Sequence, residues 1–389
     1  MSSSESRQER LAAALREREI DFALLTSPGN VCYSSGVEVF LPIDAGTEFA
    51  GGPTVAVASA AGEVQVLVPE AHAGLADTQV DGATLVPVPG FGHFDRRDPE
   101  AEFLNALRQA VRGFGSGRLR VGHEPRWLPG GVLALLESEF SNVELVGADT
   151  ALLQARAVKT PWELNRIREA VAAADAAQER LRETAHAGAN ELELWGEVTA
   201  AASSSAGHAV AVVGEIVSGP RTGVLRYPGG PLNRVLQAGD TVLMDFSVRV
   251  DGYWADCTNT LVVDADPTPD QLRCYRASRA AIDAALEALK AGSTAADVDR
   301  GARDALAGYG FEPRHYTGHQ IGVVVNEPPR AVCYDDSEIA VGMVFALEPG
   351  AYAGADVGTG SRSEKVAVVT EHGAEVLSNF TWGMEQFLN

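Results

Sequence analysis

The feature that most constrains this chain is a carboxylate set at the end of an apolar run. Asp245 follows Val242-Leu243-Met244, and Asp256 comes after it, past a turn signal at Asp251-Gly252. The stretches Thr241 to Val250 and Trp254 to Val263 are rich in β-branched and apolar residues and read as two strands. If they pair across that turn, both carboxylates face the same side. A buried charge without a partner is too costly to keep, so these acids must be paired or bound to metal.

Three residues extend the pattern. His319 lies in Thr317-Gly318-His319-Gln320-Ile321-Gly322, Glu348 in Leu347-Glu348-Pro349-Gly350, and Glu364 in Ser361-Arg362-Ser363-Glu364. Singly they are ordinary: a strand Asp is usually a turn or salt-bridge residue, a His beside glycine a loop residue, and Glu-Pro-Gly a turn. Only the ordered set is informative. Oxygen-rich donors with one imidazole suit Mn²⁺, Co²⁺, Fe²⁺ or Zn²⁺. The carboxylates offset most of the charge of two divalent ions, and ions about 3.5 to 4 Å apart can share a hydroxide and stabilise a tetrahedral transition state.

The chain has 389 residues, and single cores stop growing near about 250 to 300, so two domains are expected. Arg7 to Glu19 has helical spacing and Phe22 to Leu25 reads as a buried strand. Pro28, Gly29 and Asn30 read as a turn, Val55 to Ala58 and Val64 to Val68 as a strand pair, and Glu102 to Arg112 as a helix. These make an α/β domain over residues 1–155. A second domain, α+β and spanning 156–389, opens at Lys159-Thr160-Pro161-Trp162-Glu163, with Thr at the N-cap, Pro in the first turn and Glu three residues after the Thr. Its helices are expected at about 161–184, 191–204, 269–290 and 295–308. Besides the hairpin, strands are expected at Ala209 to Val217, Val344 to Ala351 and Lys365 to Val369.

Charge narrows the partners. A net charge of -22 repels phosphate backbones and anionic lipid, so neither nucleic acid nor a membrane surface is expected as partner. Met1 to Arg10 has no apolar h-region and no stretch reaches the about 18 apolar residues of a spanning helix, which points to the cytoplasm. Cys32, Cys257, Cys274 and Cys333 are dispersed, as expected of reduced, buried thiols.

On these residues the chain resembles the pita-bread metallopeptidases and their relatives: methionine aminopeptidase, aminopeptidase P, prolidase and creatinase. Asp21 to Thr26 and Pro28-Gly29-Asn30-Val31-Cys32-Tyr33-Ser34-Ser35-Gly36 resemble the creatinase-type N-terminal domain, and Ala157 to Glu163 the junction before the catalytic domain. The family's ligand order Asp, Asp, His, Glu, Glu falls on Asp245, Asp256, His319, Glu348 and Glu364. The resemblance implies a pita-bread C-terminal domain and two metal ions, Mn²⁺ or Co²⁺ first and Fe²⁺ or Zn²⁺ as alternatives. Glu364 would bridge, His319 and Glu348 would share an ion, and Glu348 would guide the nucleophile's proton. His315 matches a frequent family histidine and either lines the pocket or satisfies a backbone group. A homodimer is also implied.

The sequence departs from the family in places. Asn326-Glu327-Pro328-Pro329 stands where a His-Glu-x-Pro stretch is usual, and no histidine occurs near Arg226, Tyr227 or Pro228. Asn cannot shuttle a proton at neutral pH as imidazole can. Gln320 replaces a glycine after His319, and Asn259 and Lys365 stand where Arg and Asp are common. Arginines at 221, 226 and 234 form a basic loop suited to a substrate carboxylate. Arg221, Arg226, Asn326 and Arg362 are thus the candidate substrate residues.

Three functions compete. The first is a metal-dependent hydrolase of Xaa-Pro dipeptides or related short peptides, of the Xaa-Pro dipeptidase or aminopeptidase type. The second, favoured by the missing histidines, is a hydrolase or lyase of a small non-peptide molecule such as creatine, ectoine or a sulfonium propionate. The third is a non-catalytic binding module, opposed by the full set of ligand positions.

Overall fold

The computed structural model describes residues 5–39 and 51–388; Met1 to Ser4 of the polar N-terminus lie outside them. The chain divides into two compact units, Met1–Thr160 and Pro161–Asn389. No helix among the described residues is long and apolar enough to cross a membrane.

In the first unit the helices are α1 (Arg7–Glu17), α2 (Pro28–Ser35), α3 (Glu70–Gln79), α4 (Pro99–Arg112), α5 (Gly130–Glu139) and α6 (Asp149–Ala157). The strands β1 (Phe22–Leu25), β2 (Val55–Ser59), β3 (Val64–Pro69), β4 (Thr84–Val88), β5 (Leu119–His123) and β6 (Val143–Gly147) form one mixed sheet in the order β4-β3-β2-β1-β5-β6. Phe22, Leu24, Val57 and Val121 meet Leu107 and Val111 of α4 and Leu136 of α5 in its core. A turn was the expectation at Pro28-Gly29-Asn30, and the structure has the first turn of α2 instead. Ser27 caps the Asn30 amide, Pro28 sits in the first turn, and Gly36 ends the helix at φ +79°. Pro behind a capping serine is a helix start more than a turn, because the missing N–H is one the first turn would leave unpaired anyway. Helix α6 runs through position 155, so the first unit continues to Thr160.

The second unit opens with α7 (Pro161–Thr184) and α8 (Glu191–Ala206), followed by β7 (Ala211–Ser218), β8 (Thr241–Val250) and β9 (Tyr253–Val262) in one antiparallel sheet. Asp251 and Gly252 join β8 to β9 with φ of 47° and 84°, the backbone that favours a two-residue hairpin turn. Along β8, Val242, Met244, Phe246 and Val248 are fully buried, while Asp245 and Ser247 lie on the opposite face because strand side chains alternate. Helix α7 covers the apolar side, its Gln178 amide donating to the carbonyls of Met244 and Cys257.

Helices α9 (Pro269–Ala288) and α10 (Ala295–Gly308) follow, each with a capping box, Thr268 with Gln271 and Thr294 with Asp297. Next come β10 (Gly318–Gln320), β11 (Glu327–Ala331), β12 (Val344–Leu347), β13 (Gly350–Tyr352), β14 (Gly360–Arg362), β15 (Lys365–Thr370) and β16 (Gly373–Val376). One sheet has the order β11-β10-β12-β15-β16, and β13 pairs with β14 alone. Val344 to Ala351 is therefore two strands, not the single one expected. Pro349 cannot donate to a ladder, and the chain changes sheets there, leaving Glu348 at the switch.

The cysteines are all free, Cys32, Cys257 and Cys274 buried as expected but Cys333 exposed.

Candidate active site

Register places the acids. Asp245 pairs with Thr258 and Ser247 with Asp256 across the hairpin, so Asp245, Ser247, Asp256 and Thr258 share the face away from α7. Leu347 pairs with Lys365; the same register one residue on sets Glu348 opposite Glu364. His319 sits on β10, opposite Ala346 of β12. Its neighbour must be glycine, because a Cβ on Gly318 would come within 2.2 Å of the Ala346 carbonyl oxygen.

The side chains converge. One ligand atom each from Asp256, His319 and Glu364 lie within 4.8 Å of one another, all three residues buried. His319 Nε2 is 3.4 Å from Glu348 Oε1 and 3.8 Å from Asp256 Oδ2. Its Nδ1 faces the Gln320 carbonyl at 2.9 Å, which accepts the ring proton and leaves Nε2 as the nitrogen turned toward the acids. Ser247 donates to Asp256 Oδ1 at 2.9 Å and Thr258 to Glu364 Oε2 at 2.7 Å. Glu364 Oε1 is buried with no hydrogen-bond partner among the described residues. Asp245 lies within hydrogen-bond reach of Asp256, and its Oδ2 accepts from Arg362 Nη2 at 2.7 Å.

The electrostatics point the same way. Burial, and then the charges of Asp256, Glu348 and Asp245, push the Glu364 carboxyl well above its usual range. Burial also pushes up Asp245, against the pull of Arg362, and Asp256, against the pull of His319. Glu348 behaves oppositely: burial raises it, but its hydrogen bond to His319 together with the charges of His319, Arg362 and His315 holds it below the usual range. Burial lowers His319, and the hydrogen bond to Glu348 with the charges of Glu348 and Asp256 together reverse this and raise it. Crowded carboxylates around one imidazole, with a buried oxygen unpartnered, lack positive charge, and this oxygen-rich donor set fits a divalent cation.

His315 Nδ1 is 2.8 Å from the Tyr316 carbonyl and its Nε2 3.1 Å from the Tyr352 hydroxyl. Burial lowers its pKa, which keeps the ring neutral. Of the expected substrate residues, Arg362 is buried and bonded to Asp245, Glu215 and Thr258. Arg221 is bonded to Glu191 and the Gly229 carbonyl, and Arg234 to Asp240 and Ser218. Arg226 is exposed, with no ion pair among the described residues. Asn326 is half-buried; it donates to the Tyr316 hydroxyl at 3.1 Å and accepts from Arg330 Nε at 2.7 Å.

Sequence reading passed over two residues here. Glu215 pairs with Asp245 across β7 and β8 and is buried against Arg362; it is an acid in an apolar strand, the signal that marked Asp245. Tyr316 is half-buried, its ring edge-on to His319 at 5.9 Å. Burial and then Glu348, Glu364, Asp256 and Asp245 push its phenol up, so its hydroxyl lies in the field of the acid cluster. The departures at Asn259 and Lys365 have a local function: the Asn259 amide and the Lys365 ammonium donate to the carbonyls of Thr381 and Phe380, tying down the C-terminal segment.

Comparison with known proteins agrees with this architecture. Residues 165–371 match metallopeptidase family M24, and residues 7–158 match the Creatinase/Prolidase N-terminal domain. The chain is 34% identical over 235 residues to the probable dipeptidase PepE of Mycobacterium tuberculosis, and spans 61% of that protein's length with 60% of its own. It is 32% identical to the Xaa-Pro dipeptidase of Lactobacillus helveticus, over 74% of this chain and 77% of that one. Its fold superposes on the crystal structure of the prolidase from Pyrococcus horikoshii with a TM-score of 0.77 and 26% identity, covering 97% of this chain and 99% of that chain. The architecture is thus an α/β creatinase-type N-terminal domain followed by an α+β pita-bread domain. The chain belongs to metallopeptidase family M24.

Proposed function

We propose that this chain hydrolyses Xaa-Pro dipeptides or related short peptides with the help of two divalent metal ions. The observation that carries the reading is the convergence of Asp256, His319 and Glu364 within 4.8 Å, with Glu364 Oε1 buried and unpartnered among the described residues. Asp245, Asp256, His319, Glu348 and Glu364 would hold the ions, Mn²⁺ or Co²⁺ first and Fe²⁺ or Zn²⁺ as alternatives. Bound there, such ions lower the pKa of a water and polarise an amide carbonyl.

The protein's own groups supply the rest. Glu348, held below the usual carboxylate range, is ionised at neutral pH and takes up the nucleophile's proton as general base. His319 orients it from 3.4 Å. His315, neutral and fixed between Tyr316 and Tyr352, lines the pocket. Arg226 is the arginine left to receive a substrate carboxylate; Arg221 shapes its loop through Glu191, while Asn326 and Arg362 support the pocket wall. We place the enzyme in the cytoplasm as a homodimer, with neither nucleic acid nor membrane as partner, in keeping with a net charge of -22.

The test is proline release from a panel of Xaa-Pro dipeptides by metal-stripped protein reloaded with Mn²⁺ or Co²⁺, with Asp245→Ala as the blank. Release that drops by at least about 10³-fold in the variant is the expected result. Tight metal binding without release would replace the peptide by a small non-peptide metabolite, for which the missing histidines speak. Failure to bind either metal would make the domain a binding module.

A further inference from the structure

An amide carbonyl brought to a cluster of carboxylates needs a hydrogen-bond donor, and acceptors dominate here. The donors are mostly spent. Arg362 serves Asp245, Glu215 and Thr258, the hydroxyls of Ser247 and Thr258 serve Asp256 and Glu364, and both ring nitrogens of His315 are engaged. His319 Nδ1 is bonded to the Gln320 carbonyl and Nε2 faces Glu348.

Tyr316 differs. Arg330 Nε lies 2.7 Å from one side-chain atom of Asn326; a guanidinium only donates, so that atom is the amide oxygen, and the amide nitrogen must face Tyr316. At 3.1 Å that nitrogen donates into the phenolic oxygen. The oxygen's acceptor capacity toward Asn326 is thus used while its own proton has no acceptor among the described residues. A phenol, with an ordinary pKa of about 10, keeps that proton at neutral pH. The residue is half-buried, its ring braced edge-on against His319 at 5.9 Å. Of the other phenols near the acids, Tyr352 is taken up by His315 Nε2 and Tyr227 is 69% exposed with no anchoring hydrogen bond among the described residues, and a donor stabilises developing charge best when it is fixed beforehand.

We propose that Tyr316 donates a hydrogen bond to the scissile carbonyl oxygen of the substrate, and that Asn326, held in turn by Arg330, is the positioning residue that aims it. The proposal rests on the peptidase reading above. It gives the Asn at 326 a purpose: it need not move a proton itself, because it orients a neutral donor that does not titrate in the working range.

The experiment compares wild type, Tyr316→Phe, Tyr227→Phe, Asn326→Ala and Asn326→His, each Mn²⁺-loaded, on a Xaa-Pro dipeptide, with metal uptake measured alongside. Tyr316→Phe keeps the ring against His319, so uptake should not change while kcat/KM falls about 100-fold, almost wholly in kcat. Asn326→Ala should lose about 10-fold, again in kcat. Asn326→His, which still presents an N–H, should recover most of that loss, and Tyr227→Phe should stay within about threefold of wild type. Tyr316→Phe within twofold of an active wild type would overturn the proposal and leave the peptidase reading standing. So would a loss confined to KM, or one accompanied by lost metal uptake. Wild type that binds metal yet releases no proline would overturn the peptidase reading, and this proposal with it.

Discussion

Glu124 in the first unit and Glu364 in the second are both almost fully buried carboxylates, yet their surroundings differ in kind. Glu124 accepts from the backbone amides of Thr26 and Ser27 at 2.7 and 2.9 Å on one oxygen and from the Asn30 amide at 2.6 Å on the other. Its charge is met by donors of the protein, and it fastens the start of α2. Glu364 has one oxygen on Thr258, the other without a hydrogen-bond partner among the described residues, and Asp256, Glu348 and Asp245 as neighbours. Burial alone therefore separates neither case from the other. The balance of donors to acceptors does, and only the second site is short of positive charge.

The largest effect that would sharpen this contrast comes from Glu364→Gln. The amide keeps the shape and the Thr258 contact while removing one charge from the cluster. Metal uptake should fall and peptidase turnover drop by about 10³-fold or more, whereas the metal-free fold should be as stable as wild type or more so, because a like-charge repulsion is relieved. Isothermal titration with Mn²⁺ and thermal melts of stripped protein measure both halves. A variant that lost stability when stripped would mean that Glu364 is held as Glu124 is.

The mirror experiment is Glu124→Gln. Its amide can accept at one position only, leaving donors of Thr26, Ser27 or Asn30 unmet, so the protein should lose about 3 kcal/mol by denaturant unfolding with Mn²⁺ affinity unchanged. Weakened metal binding in this variant would break the comparison.

How far the sequence revealed these sites follows from the range of the interactions. The β8–β9 hairpin was legible because alternation and an Asp-Gly turn are local signals, and its register then puts Asp245 and Asp256 on one face. The break between β12 and β13 at Pro349 was not read, since an apolar run looks alike whether it stays in one sheet or leaves it. The arginine loop misled for a related reason. Arg221 is tied to Glu191 and Arg234 to Asp240, and nothing in the composition of the loop announces a partner thirty residues upstream. Glu215 was missed although it met the criterion that found Asp245. Tyr316 carries no sequence signal at all; its place depends on Asn326, brought close by the β10–β11 pairing.

The smallest expected effect is also the one that tests the charge deficit most directly, the pH dependence of the metal-free fold. Asp245, Asp256 and Glu364 have folded-state pKa values raised above the unfolded carboxylate range of about 4. The stripped native state thus holds protons that the unfolded chain has released. That stability is fully present below the unfolded pKa and is lost as pH rises through the folded values. His319, also raised, acts in the same direction, and His315, lowered, opposes it; Glu348, lowered, is ionised in both states above pH 5 and takes no part. Three acids and His319 outweigh His315, so the Tm of stripped protein should fall between pH 5 and 7.5, with stability dropping by up to about 1.4 kcal/mol per pH unit for each proton held. Lys365, whose pKa burial pushes down to about 8, opposes the fall toward the top of this window, because the folded state gives up that proton before the unfolded chain does. Saturating Mn²⁺ should abolish the fall, since a cation does what the protons did, and Glu364→Gln should flatten it with no metal added. A stripped protein whose Tm climbed steadily over that range would show that the cluster's charges are already compensated within the fold, and the distinction between Glu364 and Glu124 would disappear.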